Sequence, residues 1–299
     1  PSSFILHPSS FILHPSSFIL HPSSFILHPS SFILHPSSFI LPPMPLSQIP
    51  VGAPRHNRRF HRPTTPGRHV SDRLHPATRC AGILFDMCNI LYDDTVWRRW
   101  VLRLLSRLGL STNYCSFFRI WDRDYLDEVH RGRREFRQAF ASFLRCAGLS
   151  SGQIDEVEAA SHARRRHLEA HSRPLPGVRN TLWRLRQQGF AMGVISNSEH
   201  PAAALRRRLQ RFGIEKLFPT VVSSIDLNCC MPDAASYLVA LQFMKLPPDK
   251  VAFVGHDRLE LAGAQAVGMP TVAFNFDNDA QADVHISRFE ELIEVLIRE

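Results

Sequence analysis

Apolar residues along this chain fall into two rhythms that alternate. Compact runs at Ala81-Gly82-Ile83-Leu84-Phe85, Ala191-Met192-Gly193-Val194-Ile195, Val251-Ala252-Phe253-Val254 and Thr271-Val272-Ala273-Phe274 have the length and continuity of strands covered on both faces. Between them, apolar positions recur at three- and four-residue steps. That spacing predicts helices over 178–188, 201–212, 235–243 and 259–267, with a short further strand at 220–223. Pro201 suits a helix start and Gly213 a helix end. Asp233 is placed to cap the helix that begins near Ala234, and Ser287 with Glu290 to cap a last amphipathic helix. Strand and helix in turn is the signature of an α/β fold with a doubly wound parallel sheet.

The strand rhythm stops between Asp94 and Pro174. There Trp97, Val101, Leu104, Leu105 and Leu108 share one helical face, 117–126 and Phe136 to Leu144 show similar faces, and Ser150 with Gln153 reads as a capping box for a fourth helix. An α-helical subdomain inserted after the first strand is expected, with the core at 80–95 and 174–299 and the insertion at 96–173.

Polar groups sit where the strand runs end. The first run drives into Asp86, followed by Met87-Cys88-Asn89; the second ends in Ser196-Asn197-Ser198; the last helical interval opens at Cys229-Cys230-Met231-Pro232-Asp233; the third run ends in Gly255-His256-Asp257. Open α/β sheets gather reacting groups at such tips, because strand ends open onto the crevice between helices.

These four stations, in this order, resemble the haloacid dehalogenase-like hydrolase superfamily, a Rossmann-like core with a helical cap after the first strand. In that family the first strand ends in an Asp nucleophile with a second Asp two positions on. The second ends in Ser or Thr, a Lys precedes Pro-Asp at the third station, and Gly-Asp with a further acid follows the fourth strand. Asp86 and Ser196 match. Cys88, Met231 and His256 stand where the second Asp, the Lys and the metal-binding Asp belong, and Glu260 stands for the final acid.

The resemblance implies attack of Asp86 on phosphorus to give an aspartyl-phosphate, hence a phosphatase acting on a small phosphorylated substrate, at reduced efficiency. Cys88 follows at the second catalytic position, and Ser196 and Asn197 hydrogen-bond phosphate oxygens. It also implies Mg2+ on Asp86, with Asp257 or Glu260 supplying the other carboxylate, although His256 and Met231 weaken that site. The competing readings are a non-catalytic binding protein of the same fold and a 2-haloacid dehalogenase. Cys88, Met231 and His256 are further expected to face one pocket, a softer ligand set than magnesium prefers.

Composition changes the picture mainly at the N-terminus. Residues 1–41 are six copies of PSSFILH, the last without its His, too rich in Pro for a heptad helix and too short in apolar runs for a membrane span. They read as disordered, or as a tandem nucleotide repeat translated upstream of a start at Met44. In 42–79, seven arginines against Asp72 carry +6 of the net +8, so this segment reads as disordered and basic. It lacks aromatic interleaving and any nucleic-acid module, so neither nucleic acid nor membrane is an expected partner. Six cysteines without zinc or CxxC spacing fit a reduced, cytoplasmic protein.

Overall fold

The computed structural model describes residues 80–110 and 113–297. The repeat at 1–41 and the basic segment at 42–79 lie outside the described residues. Six strands form one sheet: β1 (Gly82–Asp86), β2 (Ala191–Ser196), β3 (Thr220–Ser223), β4 (Val251–Gly255), β5 (Thr271–Phe274) and β6 (Val284–Ile286), in the order β3-β2-β1-β4-β5-β6. Every pairing is parallel.

Side chains alternate across a strand, so β1 serves two cores at once. Ile83 and Phe85 enter one apolar cluster, with Leu182 and Leu185 of α6 (Val178–Gln187), Leu205 and Leu209 of α7 (Ala202–Arg211) and Leu292 of α11 (Leu292–Leu296). Leu84 points the other way. It joins Tyr237 and Leu241 of α9 (Ala234–Met244) and Leu261 of α10 (Arg258–Ala266). The sheet is therefore doubly wound, as the alternating pattern predicts, and each fully buried large apolar side chain contributes roughly 1.5–3 kcal/mol.

Five helices separate β1 from α6: α1 (Thr95–Arg107), α2 (Tyr114–Trp121), α3 (Asp127–His130), α4 (Phe136–Cys146) and α5 (Ser151–His171). They close on their own core of Val101, Leu105, Phe117, Trp121, Phe140 and Phe143. The capping box opening α5 is complete: Ser150 Oγ accepts from the Gln153 N–H, and Gln153 Oε1 accepts from the Ser150 N–H at 2.9 Å. The expected helix over 117–126 forms, with a π-helical turn at Asp122–Leu126 between α2 and α3 and helical backbone across both junctions. A short helix, α8 (Ser224–Leu227), follows β3 directly.

Two local expectations need correction, and one strand is additional. Asp233 stands at the N-terminus of α9 but makes no capping bond; its carboxylate takes Arg131 Nη1 at 2.5 Å and the Cys229 thiol instead. The Ser287–Glu290 pair does not form a cap, because the Ser287 N–H reaches the Glu291 carboxylate at 3.0 Å and the terminal helix is only five residues long. The strand β6 went unpredicted, its two buried residues flanking an exposed His285.

Candidate active site

Pairing of β1 with both β2 and β4 puts Asp86 beside Ile195 and Phe85 beside Val254, so the tips carrying Asp86, Ser196 and His256 converge. Sheet order reverses at β1, the point where open α/β sheets form their crevice. Asp86 is buried. Its Oδ1 accepts from the Met87 N–H at 2.6 Å, and its Oδ2 lies 3.2 Å from His256 Nδ1. The two form an ion pair too poorly aligned to count as a full hydrogen bond, and it is the one contact Nδ1 makes among the described residues. The other face of the imidazole, Nε2, is 3.3 Å from the Asn89 amide.

Glu260, in the first turn of α10, completes the group. Its Oε1 accepts from Asn197 Nδ2 at 3.1 Å, while its Oε2 is buried with no partner. One ligating atom each from Asp86, His256 and Glu260 lie within 4.8 Å of one another. Burial pushes the Asp86 carboxyl up, against the opposing pull of His256 and the Met87 N–H. Burial also pushes Glu260 well above the carboxylate range, helped by the Asp86 charge. Burial would lower His256, but its contact with Asp86 outweighs that and pushes it up to about 10. A buried carboxylate and a half-buried one whose Oε2 is shut off from solvent cannot both be neutralised by a single imidazolium. The group must take up a further proton or a cation.

The expected site residues separate accordingly. Asp86 and Glu260 come together. Asp257 does not: its carboxylate caps α10, accepting from the N–H groups of Leu259 at 2.7 Å and Glu260 at 3.1 Å, and it stands outside the group. Cys88 Sγ faces Tyr92 Oη at 3.4 Å and Ser196 Oγ at 4.0 Å. Burial, reinforced by the charges of Asp94 and Asp86, raises that thiol well above its usual pKa, so it stays neutral. Asn197 clamps the third station, its Oδ1 accepting from the Met231 N–H at 2.9 Å and its Nδ2 donating to the Met231 carbonyl at 3.0 Å. Met231 itself packs in the apolar cluster of Leu84 and Tyr237. The expected set of thiol, thioether and imidazole is thus not assembled.

Sequence reading missed the support beneath these residues. Arg208 on α7 donates to Tyr92 Oη at 2.6 Å and pairs with Glu169 of α5, linking the inserted helices to the loop after β1. Asp94, whose Oδ1 is buried without a partner, also acts on Asp86 by its charge. The run Tyr92-Asp93-Asp94 was the available signal, but its partners are distant in sequence. A separate cleft of about 880 Å3, between α4, α5 and Glu199–His200, contains none of the Asp86 group, and its Arg133, Arg137 and Arg165 are each paired with a glutamate.

The donors present suit a divalent cation, given two carboxylates and a buried Glu260 oxygen lacking a partner. They do not suit the all-oxygen surroundings that magnesium prefers, because an imidazole nitrogen stands among them.

A family model described as haloacid dehalogenase-like hydrolase matches residues 80–268. A glyceraldehyde 3-phosphate phosphatase of Pyrococcus furiosus is 31% identical over 231 residues, 73% of this chain and 93% of that protein. An (S)-2-haloacid dehalogenase of Pseudomonas fluorescens is 25% identical over 206 residues, 67% of this chain and 86% of its own length. The crystal structure of a predicted phosphoglycolate phosphatase from Haemophilus somnus 129pt shares the fold at TM-score 0.55 and 19% identity, over 73% of this chain and 99% of that one. The matched stretch contains β1, the helical insertion, β2 to β4 and α10, and with them every residue of the Asp86 group, so this chain belongs to the haloacid dehalogenase-like hydrolases.

Proposed function

We propose that the chain hydrolyses a small phosphate monoester through attack of an Asp86 carboxylate oxygen on phosphorus. The observation that carries this reading is Asp86 itself, held at the tip of the central strand with one oxygen on a backbone N–H and the other turned toward His256. The named activity of the Pyrococcus relative supports it. In the first step the Asp86 O–P bond forms as the ester P–O bond breaks, and the departing alkoxide takes up a proton. In the second, water attacks the same phosphorus, the bond to Asp86 breaks, and inorganic phosphate and the carboxylate are released.

Cys88 is a neutral, poorly acidic thiol, so it does not supply the alkoxide's proton; solvent does. Ser196, buried at the β2 tip, and Asn197 contribute by holding the pocket wall, Asn197 through Met231 and Glu260. With Met231 in place of an ammonium, turnover is lower by about 10²–10³ than with that charge present. The inserted helices act as the cap that sets the substrate. The same reading includes a divalent cation and a cytoplasmic setting; among the described residues no helix is long and apolar enough to cross a membrane.

Release of phosphate from a generic phosphomonoester tests the reading, since it must disappear in Asp86→Asn. One observation favours a second reading. The lack of a carboxylate at Cys88 suits attack of Asp86 on a halogen-bearing carbon, where no alkoxide needs protonating. Halide release from a 2-haloacid, without phosphate release, would select that alternative.

A further inference from the structure

The donor set at the strand tips differs from a magnesium site in a way that selects an ion. Asp86 from β1, His256 after β4 and Glu260 from α10 each offer one atom within a 4.8 Å group. Asp86 Oδ2 and His256 Nδ1 are already 3.2 Å apart. Two ligands of a tetrahedral ion with bonds near 2.1 Å lie about 3.4 Å from each other, so this pair needs little movement to hold one.

An unpartnered buried oxygen beside closely set ligating atoms points to a ligand. Glu260 Oε2 is buried with no hydrogen-bond partner among the described residues, His256 Nδ1 has only its poorly aligned 3.2 Å contact with Asp86, and Asp94, whose Oδ1 is also buried and unpaired, exerts its charge on the group. Buried polar atoms are seldom left unpaired, and clustering of such atoms around two carboxylates calls for a positive partner. Asn89 Nδ2 lies 3.3 Å from the imidazole Nε2 and fixes the ring's position; ligation through Nδ1 puts the ring proton on Nε2 and turns the Asn89 amide so that its oxygen accepts it. Glu260 is held in turn by Asn197, whose Nδ2 donates to Oε1 at 3.1 Å and leaves Oε2 free to ligate.

We infer that Asp86, His256 and Glu260 form a binding site for a first-row transition dication, zinc foremost, in preference to magnesium. Imidazole nitrogen is a good ligand for zinc and cobalt and a poor one for magnesium, whereas the two carboxylates serve either ion. The ion's placement beside the nucleophile rests on the hydrolase reading; its binding does not.

The test is titration of the full chain, freed of metal, with Co2+ followed by visible absorption, then with Zn2+ and Mg2+ as competitors and by calorimetry. One equivalent of Co2+ should bind with a d–d spectrum showing nitrogen coordination, be displaced by Zn2+, and resist a large excess of Mg2+. His256→Asp should weaken Zn2+ and Co2+ by at least about tenfold and strengthen Mg2+, reversing the preference. Glu260→Gln should weaken both classes of ion. Should His256→Asp not fold, by circular dichroism, His256→Gln carries the same expectation for the loss of Co2+.

Displacement of Co2+ by millimolar Mg2+, or an unaltered preference in the His256 variants, would overturn the inference. So would stoichiometric zinc retained in a His256→Ala/Glu260→Ala double variant, which would place the ion elsewhere in the chain. None of these readouts needs turnover: an inert protein that binds zinc through His256 upholds the inference and refutes the hydrolase reading, and an active one that prefers Mg2+ does the reverse.

Discussion

Replacing Arg208 by Met keeps most of the buried volume and removes one charge, which makes it a clean probe of how the inserted helices are held to the core. The side chain is 11% exposed, pairs with Glu169, and donates to Tyr92 Oη at 2.6 Å with the guanidinium 5.1 Å from the Tyr92 ring. Breaking a fully buried pair costs about 3–5 kcal/mol, because it strands the remaining charge. That full cost does not apply here: Glu169 is 39% exposed and keeps Arg211 as a second partner. What is lost is a charge-assisted hydrogen bond, about 1.5–3 kcal/mol, while Tyr92 keeps its contact with Cys88. A net loss of about 2–3 kcal/mol is expected, read as a lower urea midpoint at unchanged slope.

The effect should also depend on pH with a definite sign. Burial alone would raise the Glu169 carboxyl, but Arg208 and then Arg211 outweigh it and hold it below its ordinary value. A carboxylate held low stabilises the fold above the unfolded pKa and loses that contribution as pH falls through the folded one. The gap between the parent and Arg208→Met should therefore narrow below about pH 4.3. A loss under about 0.5 kcal/mol at pH 7 would mean the network behaves as a solvated surface pair and would refute the reasoning.

Three other outcomes follow from the same structure. Gly263→Ala places a methyl 2.7 Å from the Pro232 carbonyl and 2.9 Å from Tyr237 Oη, so it should destabilise by about 1–3 kcal/mol in denaturant and shift α10, hence Glu260, relative to the Met231 loop. Asp257→Ala should cost about 1 kcal/mol through the lost cap, seen as a lower unfolding midpoint, and should reduce turnover far less than Glu260→Gln does. His130 is pushed down to about 4 by burial, with Arg98 adding to the fall and Asp127 opposing it. The unfolded chain therefore binds more protons between about pH 4 and 6.5, stability rises with pH across that window, and His130→Gln should flatten that rise when unfolding midpoints are compared across it.

The sequence made the sheet legible because four strands are buried on both faces and carry unbroken apolar runs. It made α5 legible because Ser150 and Gln153 act within one helical turn. β6 escaped because only Val284 and Ile286 of its three residues are buried, too few for a pattern. Asp233 and Asp257 show a subtler limit. Both occupy a capping position, and local rules cannot say that Arg131, 102 residues away, turns Asp233 aside while Asp257 is left to cap. At the site, the departures at Cys88, Met231 and His256 could be read directly, but their geometry could not. That His256 meets Asp86, while Met231 retreats into an apolar cluster and Cys88 turns to Tyr92, depends on strand pairing and packing across long separations.

Covalent catalysis by Asp86 is most directly tested by trapping. Enzyme mixed with a reactive phosphomonoester and quenched in acid within one turnover should yield, after proteolysis and mass spectrometry, a phosphoryl group on the peptide containing Asp86, absent from Asp86→Asn. Phosphate release continuing at the parent rate in Asp86→Asn, with that peptide unmodified in both proteins, would contradict the account.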